Sequence, residues 1–191
     1  MKTSRQIQII ESSMELIANK GIQGFTIKNL SKAIGISEPA IYRHFDSKTD
    51  ILIAILDNFR EMTQMMTLIS ASNTTAIENI EFLFSKVLEI FTEQPSIISV
   101  IFSEEIFKNE TVLKNKILEI QNQQQINIET IMKKGQMMGD IRDDIDIGSL
   151  ALISMGSLRL LVKRWDLNNQ NFSLQIDGNK LINSFKLLIV K

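Results

Sequence analysis

The tripeptide Gly35-Ile36-Ser37 separates two stretches, each too short to stand as an independent helix and too regular to be a loop. Before it, Thr26 can accept a hydrogen bond from the free N–H groups of a first turn, and Phe25 can pack on Leu30 as a hydrophobic staple. After it, Ser37 is a candidate cap for a helix over 38–45, and Pro39 is tolerated because a first turn needs no intrahelical donor. Upstream, residues 5–19 place Ile9, Ile10, Met14, Leu16, Ile17 and Ala18 mostly three and four apart, which predicts an amphipathic helix that Gly21 ends. Two short helices across so tight a turn must meet at a steep angle, the arrangement of a helix-turn-helix.

The remainder continues in the same period. Ser47 with Asp50 reads as a capping-box variant opening a helix over 48–68, in which Ile51 to Leu56 run apolar without a break and are therefore buried on more than one side. Residues 70–75 are small and polar, a loop. Further helices are predicted over 76–93, 95–107, 111–138, 147–165 and 179–190, with a turn at 139–144 and a polar loop over 168–178. Eight glycines and two prolines in 191 residues suit long helices. Strand-like alternation and internal repeats are not seen. The fold expected is all-α, with residues 1–47 as a three-helix domain and 48–191 as a larger helical bundle.

Several function classes are disfavoured. With no cysteine there are no disulfides, thiolate metal sites or cysteine nucleophiles, as suits a reducing compartment. No apolar run approaches the ~18 residues that span a bilayer, and residues 1–13 lack a signal-peptide core, so a cytoplasmic protein without membrane contact is expected. His44 is the single histidine, so no imidazole cluster exists for metal binding or catalysis. The expectation is a non-enzyme with no cofactor and no metal. Asp140, Asp143, Asp144 and Asp146 lack the ligand spacing of a calcium loop and read instead as a solvated turn with an aspartate capping the next helix.

Charge is uneven. Residues 1–48 hold seven basic and four acidic groups, +3, while the rest is 14 − 18 = −4. A basic head on an acidic body suits a polyanion. The third helix carries Tyr42, Arg43 and His44 behind the small Ser37, Pro39 and Ala40, which permit close approach to base edges. Tyr42, His44 and Lys48 can donate to phosphate oxygens, and Thr26 and Lys28 open a helix whose positive end also suits phosphate.

The run from Gly21 through Phe25-Thr26-Ile27-Lys28 to Ile41-Tyr42-Arg43-His44-Phe45-Asp46-Ser47-Lys48 closely resembles the DNA-binding domain of the TetR/AcrR family over about residues 5–52. The resemblance implies phosphate contacts at Thr26, Tyr42, His44 and Lys48, and base reading around Lys28, Ser37, Pro39, Ala40 and Arg43. It implies a ligand-responsive transcriptional regulator, most simply a repressor, binding a palindromic double-stranded DNA operator as a homodimer and released by a small, largely apolar effector. A constitutive or protein-partnered DNA-binding module without an effector is the alternative. The segments Gly139-Asp140-Ile141-Arg142 and Gly156-Ser157-Leu158-Arg159 also look like a C-terminal variant common in that family.

Two further sets of candidates follow. Met65, Met66 and Met137 have adaptable thioethers, and with Phe82, Phe102 and Phe107 they either line an effector pocket or fill ordinary core. The helix over 147–165 is apolar nearly all round and needs covering on both sides. The resemblance supplies the same helix of a second copy, with Leu150, Ser154, Ser157, Leu158, Leu161 and Trp165 as interface candidates, completed by Leu181, Phe185 and Leu188 of the last helix. In a monomer, other helices would have to cover both faces.

Overall fold

The computed structural model describes residues 2–70, 75–103 and 110–191. Among the described residues the chain is helical, with one isolated antiparallel bridge between Ile141 and Val190. By contact density it divides into two compact units, Met1–Glu61 with Ser96–Glu119, and Met62–Pro95 with Ile120–Lys191.

The first unit begins with α1, Ser4–Gly24. Thr3 and Gln6 close a reciprocal capping box at its start, with Gln6 N–H donating to Thr3 Oγ1 at 3.2 Å and Thr3 N–H to Gln6 Oε1 at 2.9 Å. Gly21 breaks the helix at φ 67°, ψ 176°, and one further turn carries the chain to Gly24. α2, Ile27–Ile34, is capped by Thr26, whose Oγ1 accepts from Asn29 N–H at 3.1 Å. It is closed by Gly35, left-handed at φ 76°, ψ 33°, whose N–H donates to Ser31 O at 2.9 Å. α3 is only Glu38–Tyr42. The Ser37 hydroxyl makes no capping bond there, so this helix starts on Pro39 and the acidic Glu38 alone. Turns continue past Tyr42, with Phe45 N–H on Ile41 O at 3.1 Å. α4, Lys48–Ser70, opens on the expected cap: Asp50 N–H donates to Ser47 Oγ at 3.1 Å, and that hydroxyl donates to Asp50 Oδ2 at 2.8 Å. α1 packs on α2 and on a short α6, Ile98–Ile101, which follows a 3-10 turn over Pro95–Ile97. The helix expected over 95–107 is thus broken early, and Phe107 lies outside the described residues. Ile9, Ile10, Phe25, Leu30, Ile41, Ile51, Ile55 and Leu113 form the sealed core of this unit.

The second unit is built on α5, Ala76–Glu93, α8, Ile147–Leu167, and α9, Leu174–Ile189. α7, Thr111–Met138, and α4 each run from the first unit's residues into the second's. α5 carries a Thr75/Glu78 capping box, and α8 is capped by Asp146, which accepts from Ser149 N–H at 2.8 Å. α9 starts at Leu174, five residues before the sequence reading of 179, because Gly178 is not a breaker but a helical residue packed against Leu88 of α5. α9 lies against both α5 and α8, with the Phe84 and Phe185 rings stacked at 6.3 Å and Lys186 paired to Glu81 at 2.6 Å. Trp165 Nε1 donates to Phe172 O at 2.8 Å and so ties the α8–α9 turn.

No helix among the described residues is long and apolar enough to cross a membrane.

Candidate nucleic-acid interface

The nine residues expected to meet DNA sit at the cap and first turn of α2, in the turn after it, on α3 and the turn that follows it, and at the first residue of α4. Thr26, Lys28, Ser37, Pro39, Tyr42 and Arg43 are exposed, and Ala40, His44 and Lys48 are half-buried. Ile41, between them, is completely buried and anchors α3 to the core. One helix position in five does the holding and its neighbours face outward. Gln6 of α1 donates from Nε2 to the His44 carbonyl at 3.4 Å, steadying the exit of α3. None of the ion pairs among the described residues uses Lys28, Lys32 or Arg43.

Lys48 is different. Its ammonium stands 5.1 Å from the centroid of the buried Phe25 ring. It is the first residue of α4, where the helix dipole presents its positive end. Burial pushes its pKa below the usual lysine value, and the charge of Glu110 offsets this in part. A cation held where the fold does not favour it is one that an external phosphate can relieve.

The aspartates of the turn before α8 take three separate jobs. Asp144 receives a two-toothed bond from Arg142, Nε to Oδ1 and Nη2 to Oδ2, both at 2.6 Å, and this bond holds its carboxyl below the ordinary range. Asp143 meets Lys191 at 3.1 Å and is lowered by that bond. Asp146 is lowered by the Ser149 N–H it caps. Among the described residues no group of three or more acidic, histidine or cysteine side chains is placed to hold a metal ion.

The candidate pocket residues scatter. Met65 and Met137 are well exposed, at 64% and 81%, while Met66, Phe82 and Phe102 are half-buried; Phe107 is outside the described residues.

The interface candidates divide by face. Leu150, Ser154, Leu158, Trp165 and Phe185 are buried within the subunit itself, Ser157, Leu161 and Leu181 are half-buried, and Leu188 is exposed. The outer face of α8 is instead made of Leu152, Ile153 and Leu160, with Leu187 and Leu188 outward on α9. Gly156 is on that face, with nothing within 4 Å of where a Cβ would stand. Leu188 is among the sequence candidates, whereas Leu152, Ile153, Leu160 and Leu187 are not, because α8 is apolar on every side and only the packing of α9 decides which side is inward.

A buried-anchor recognition helix, a left-handed glycine turn and an exposed basic rim together define a helix-turn-helix DNA-binding protein. Residues 9–55 match the family described as bacterial regulatory proteins, tetR family. The chain is 23% identical over 182 residues to the fatty acid metabolism regulator protein of Bacillus subtilis strain 168, covering 95% of this chain and 93% of that one. Its fold matches the transcriptional regulator FadR from Bacillus subtilis, solved in complex with stearoyl-CoA, with a TM-score of 0.82 at 23% identity over 94% and 96% of the two chains. It is also 31% identical over 118 residues to the nucleoid occlusion factor SlmA of Glaesserella parasuis serovar 5, spanning 59% of this chain and 57% of that one. Residues 9–55 thus carry a helix-turn-helix domain of the tetR family, and the rest of the chain shares the fold of regulators built on that domain.

Proposed function

We propose that this chain is a ligand-released repressor that binds a palindromic operator as a homodimer. Residues 1–47 are its DNA-binding domain and 48–191 its effector-binding and dimerisation domain. The nine surface residues named above are its DNA contacts, with Thr26, Tyr42, His44 and Lys48 on phosphates and the others at base edges. The outward stripe of Leu152, Ile153, Leu160, Leu187 and Leu188 supports self-association, since such a stripe is costly to leave in water, and the open Gly156 permits close helix approach.

The effector is a long-chain acyl thioester of coenzyme A. The observation that carries this is the likeness, over nearly the whole of both chains, to a regulator solved with stearoyl-CoA. In mechanism, the effector favours an arrangement of α4 in which the two recognition helices no longer match half-sites about one helical turn, ~34 Å, apart. It does so only as far as it binds that arrangement more tightly, and a tenfold preference is worth ~1.4 kcal/mol.

The test selects an operator from a random duplex library with the purified protein, then titrates stearoyl-CoA into the complex, with free coenzyme A and stearate as controls. Release by the thioester alone is expected. Undiminished operator affinity at saturating stearoyl-CoA refutes the effector. That outcome would favour the alternative, a constitutive or protein-partnered DNA-binding module with no small-molecule effector.

A further inference from the structure

Four charged side chains form a closed ring of alternating sign between α4 and α7, all within the first unit. Asp57 meets Arg60 at 3.1 Å, Arg60 meets Glu119 at 3.5 Å, Glu119 meets Lys116 at 4.0 Å, and Lys116 returns to Asp57 at 2.8 Å. Residue 57 faces 116 and residue 60 faces 119, so here the two helices run side by side in the same sense. Only Glu119 is mainly in solvent; the Lys116 side chain is 18% exposed and those of Asp57 and Arg60 are below one third. An isolated surface pair contributes little, but a part-buried closed network is screened less and fixes register.

Its position gives the ring meaning. The first unit's residues end at Glu61 on α4 and at Glu119 on α7, so the ring occupies the last turn of each helix before it leaves that unit. The Asp57 Oδ1 atom is closed off from solvent and takes both cations without a directed hydrogen bond. Such an attraction is Coulombic and tolerates a small slide before it fails.

We infer that Asp57, Arg60, Lys116 and Glu119 form a clasp that holds α4 and α7 in register where they leave the DNA-binding unit, and so fixes the pose of the helix-turn-helix at the head of α4. The functional part of this inference rests on the reading of the chain as an operator-binding regulator. Any displacement of α4 beyond residue 61 must then slide or open the clasp to reach the DNA-binding residues.

Charge inversion tests it. Asp57→Arg/Arg60→Glu and, separately, Lys116→Glu/Glu119→Lys keep each intrahelical pair and turn both cross-helix pairs repulsive; the fourfold variant restores them with reversed polarity. Two readouts are taken: amide hydrogen exchange over 48–61, and affinity for the selected operator relative to random duplex. Each half-inverted variant is expected to exchange faster in α4 and to lose about 5- to 10-fold in operator selectivity, with non-specific binding unchanged. The fourfold variant recovers both. A merely structural pair would lower thermal stability without moving the selectivity ratio. Wild-type exchange and selectivity in both half-inverted variants overturn the clasp, as does failure of the fourfold variant to recover. Should the half-inverted chains not fold, Lys116→Met removes the most buried cation alone, and an unchanged α4 exchange rate in it is equally fatal. If the wild-type protein selects no operator, the regulator reading fails, while the exchange measurement still decides the clasp.

Discussion

Replacing Lys48 by methionine separates what the fold needs from what DNA needs. In the folded chain this ammonium sits at the positive end of α4, half-buried over Phe25, with its pKa lowered chiefly by burial. Its sign in linkage is clear: a lysine whose folded pKa lies below the unfolded ~10.4 disfavours folding while charged, and stability rises with pH between the two values. Methionine keeps the apolar stem against the ring and removes the charge, so folding stability should hold within about 0.5 kcal/mol or improve. DNA binding should fall. Deleting one cation–phosphate pairing flattens the dependence of log K on log salt by about 0.9. Over a fourfold change in salt that is a factor of about 3.5 per protomer and about 12 for a dimer. Fluorescence anisotropy of a labelled operator and of a random duplex, between about 50 and 200 mM salt, reads the slope directly. Both duplexes should lose the same slope, since a phosphate contact carries no sequence information. Lys48→Arg should keep it. A wild-type slope in Lys48→Met, or a loss confined to the operator, refutes the assignment of Lys48 to the backbone.

Gly178→Ala should destabilise by about 1–3 kcal/mol in denaturant unfolding, because the new methyl overlaps Leu88, against a helix-propensity gain of only about 1 kcal/mol. Gly156→Ala, where a Cβ meets nothing within 4 Å, should instead stabilise the isolated subunit; equal effects of the two would remove the packing argument for Gly178. Asp146→Ala should lower Tm at neutral pH by removing the α8 cap, and the deficit should close as pH falls below about 4. The reason is that a depressed carboxylate contributes above its unfolded pKa and loses that contribution as pH drops through its lowered folded value. A deficit that does not shrink at all as the pH falls below the unfolded carboxylate value of about 3.9 would contradict the charged capping role. Leu160→Glu, at a side chain 62% exposed, should leave the subunit's melting intact and abolish self-association in sedimentation equilibrium; an unchanged mass would clear α8 of the interface.

The helix-turn-helix was legible because its signals act within a few residues. Thr26 caps three positions on, Gly35 closes the helix it follows, and Ser47 reaches Asp50. Ser37 looked like the same kind of signal, but its hydroxyl leaves the cap unformed. Misreadings came where a distant residue decides. Gly178 reads as a loop glycine until Leu88 is placed against it, and then it is the one residue small enough for α9 to lie on α5. Trp165 offered itself for an interface, yet its indole N–H is committed to the Phe172 carbonyl in its own chain. An all-apolar α8 announces that it is covered without saying by what. Its burial pattern, with Leu150 and Leu158 inward and Leu152 and Leu160 outward, is a property of the assembled unit. The charged ring on α4 and α7 had no local sign either, since each helix contributes an ordinary pair three residues apart.

α3 is five residues long and is moored by a single sealed side chain, Ile41. Substitutions at Ser37 and Arg43, the exposed residues that flank α3, leave that mooring untouched, and exposed positions of this kind typically shift stability by no more than about 0.5 kcal/mol. Such a recognition element can drift toward new operator sequences one replacement at a time, each intermediate still folded and still bearing its backbone contacts. The economy of the helix is thus a licence for divergence: a descendant chain can change which duplex it reads while inheriting everything that makes it a protein.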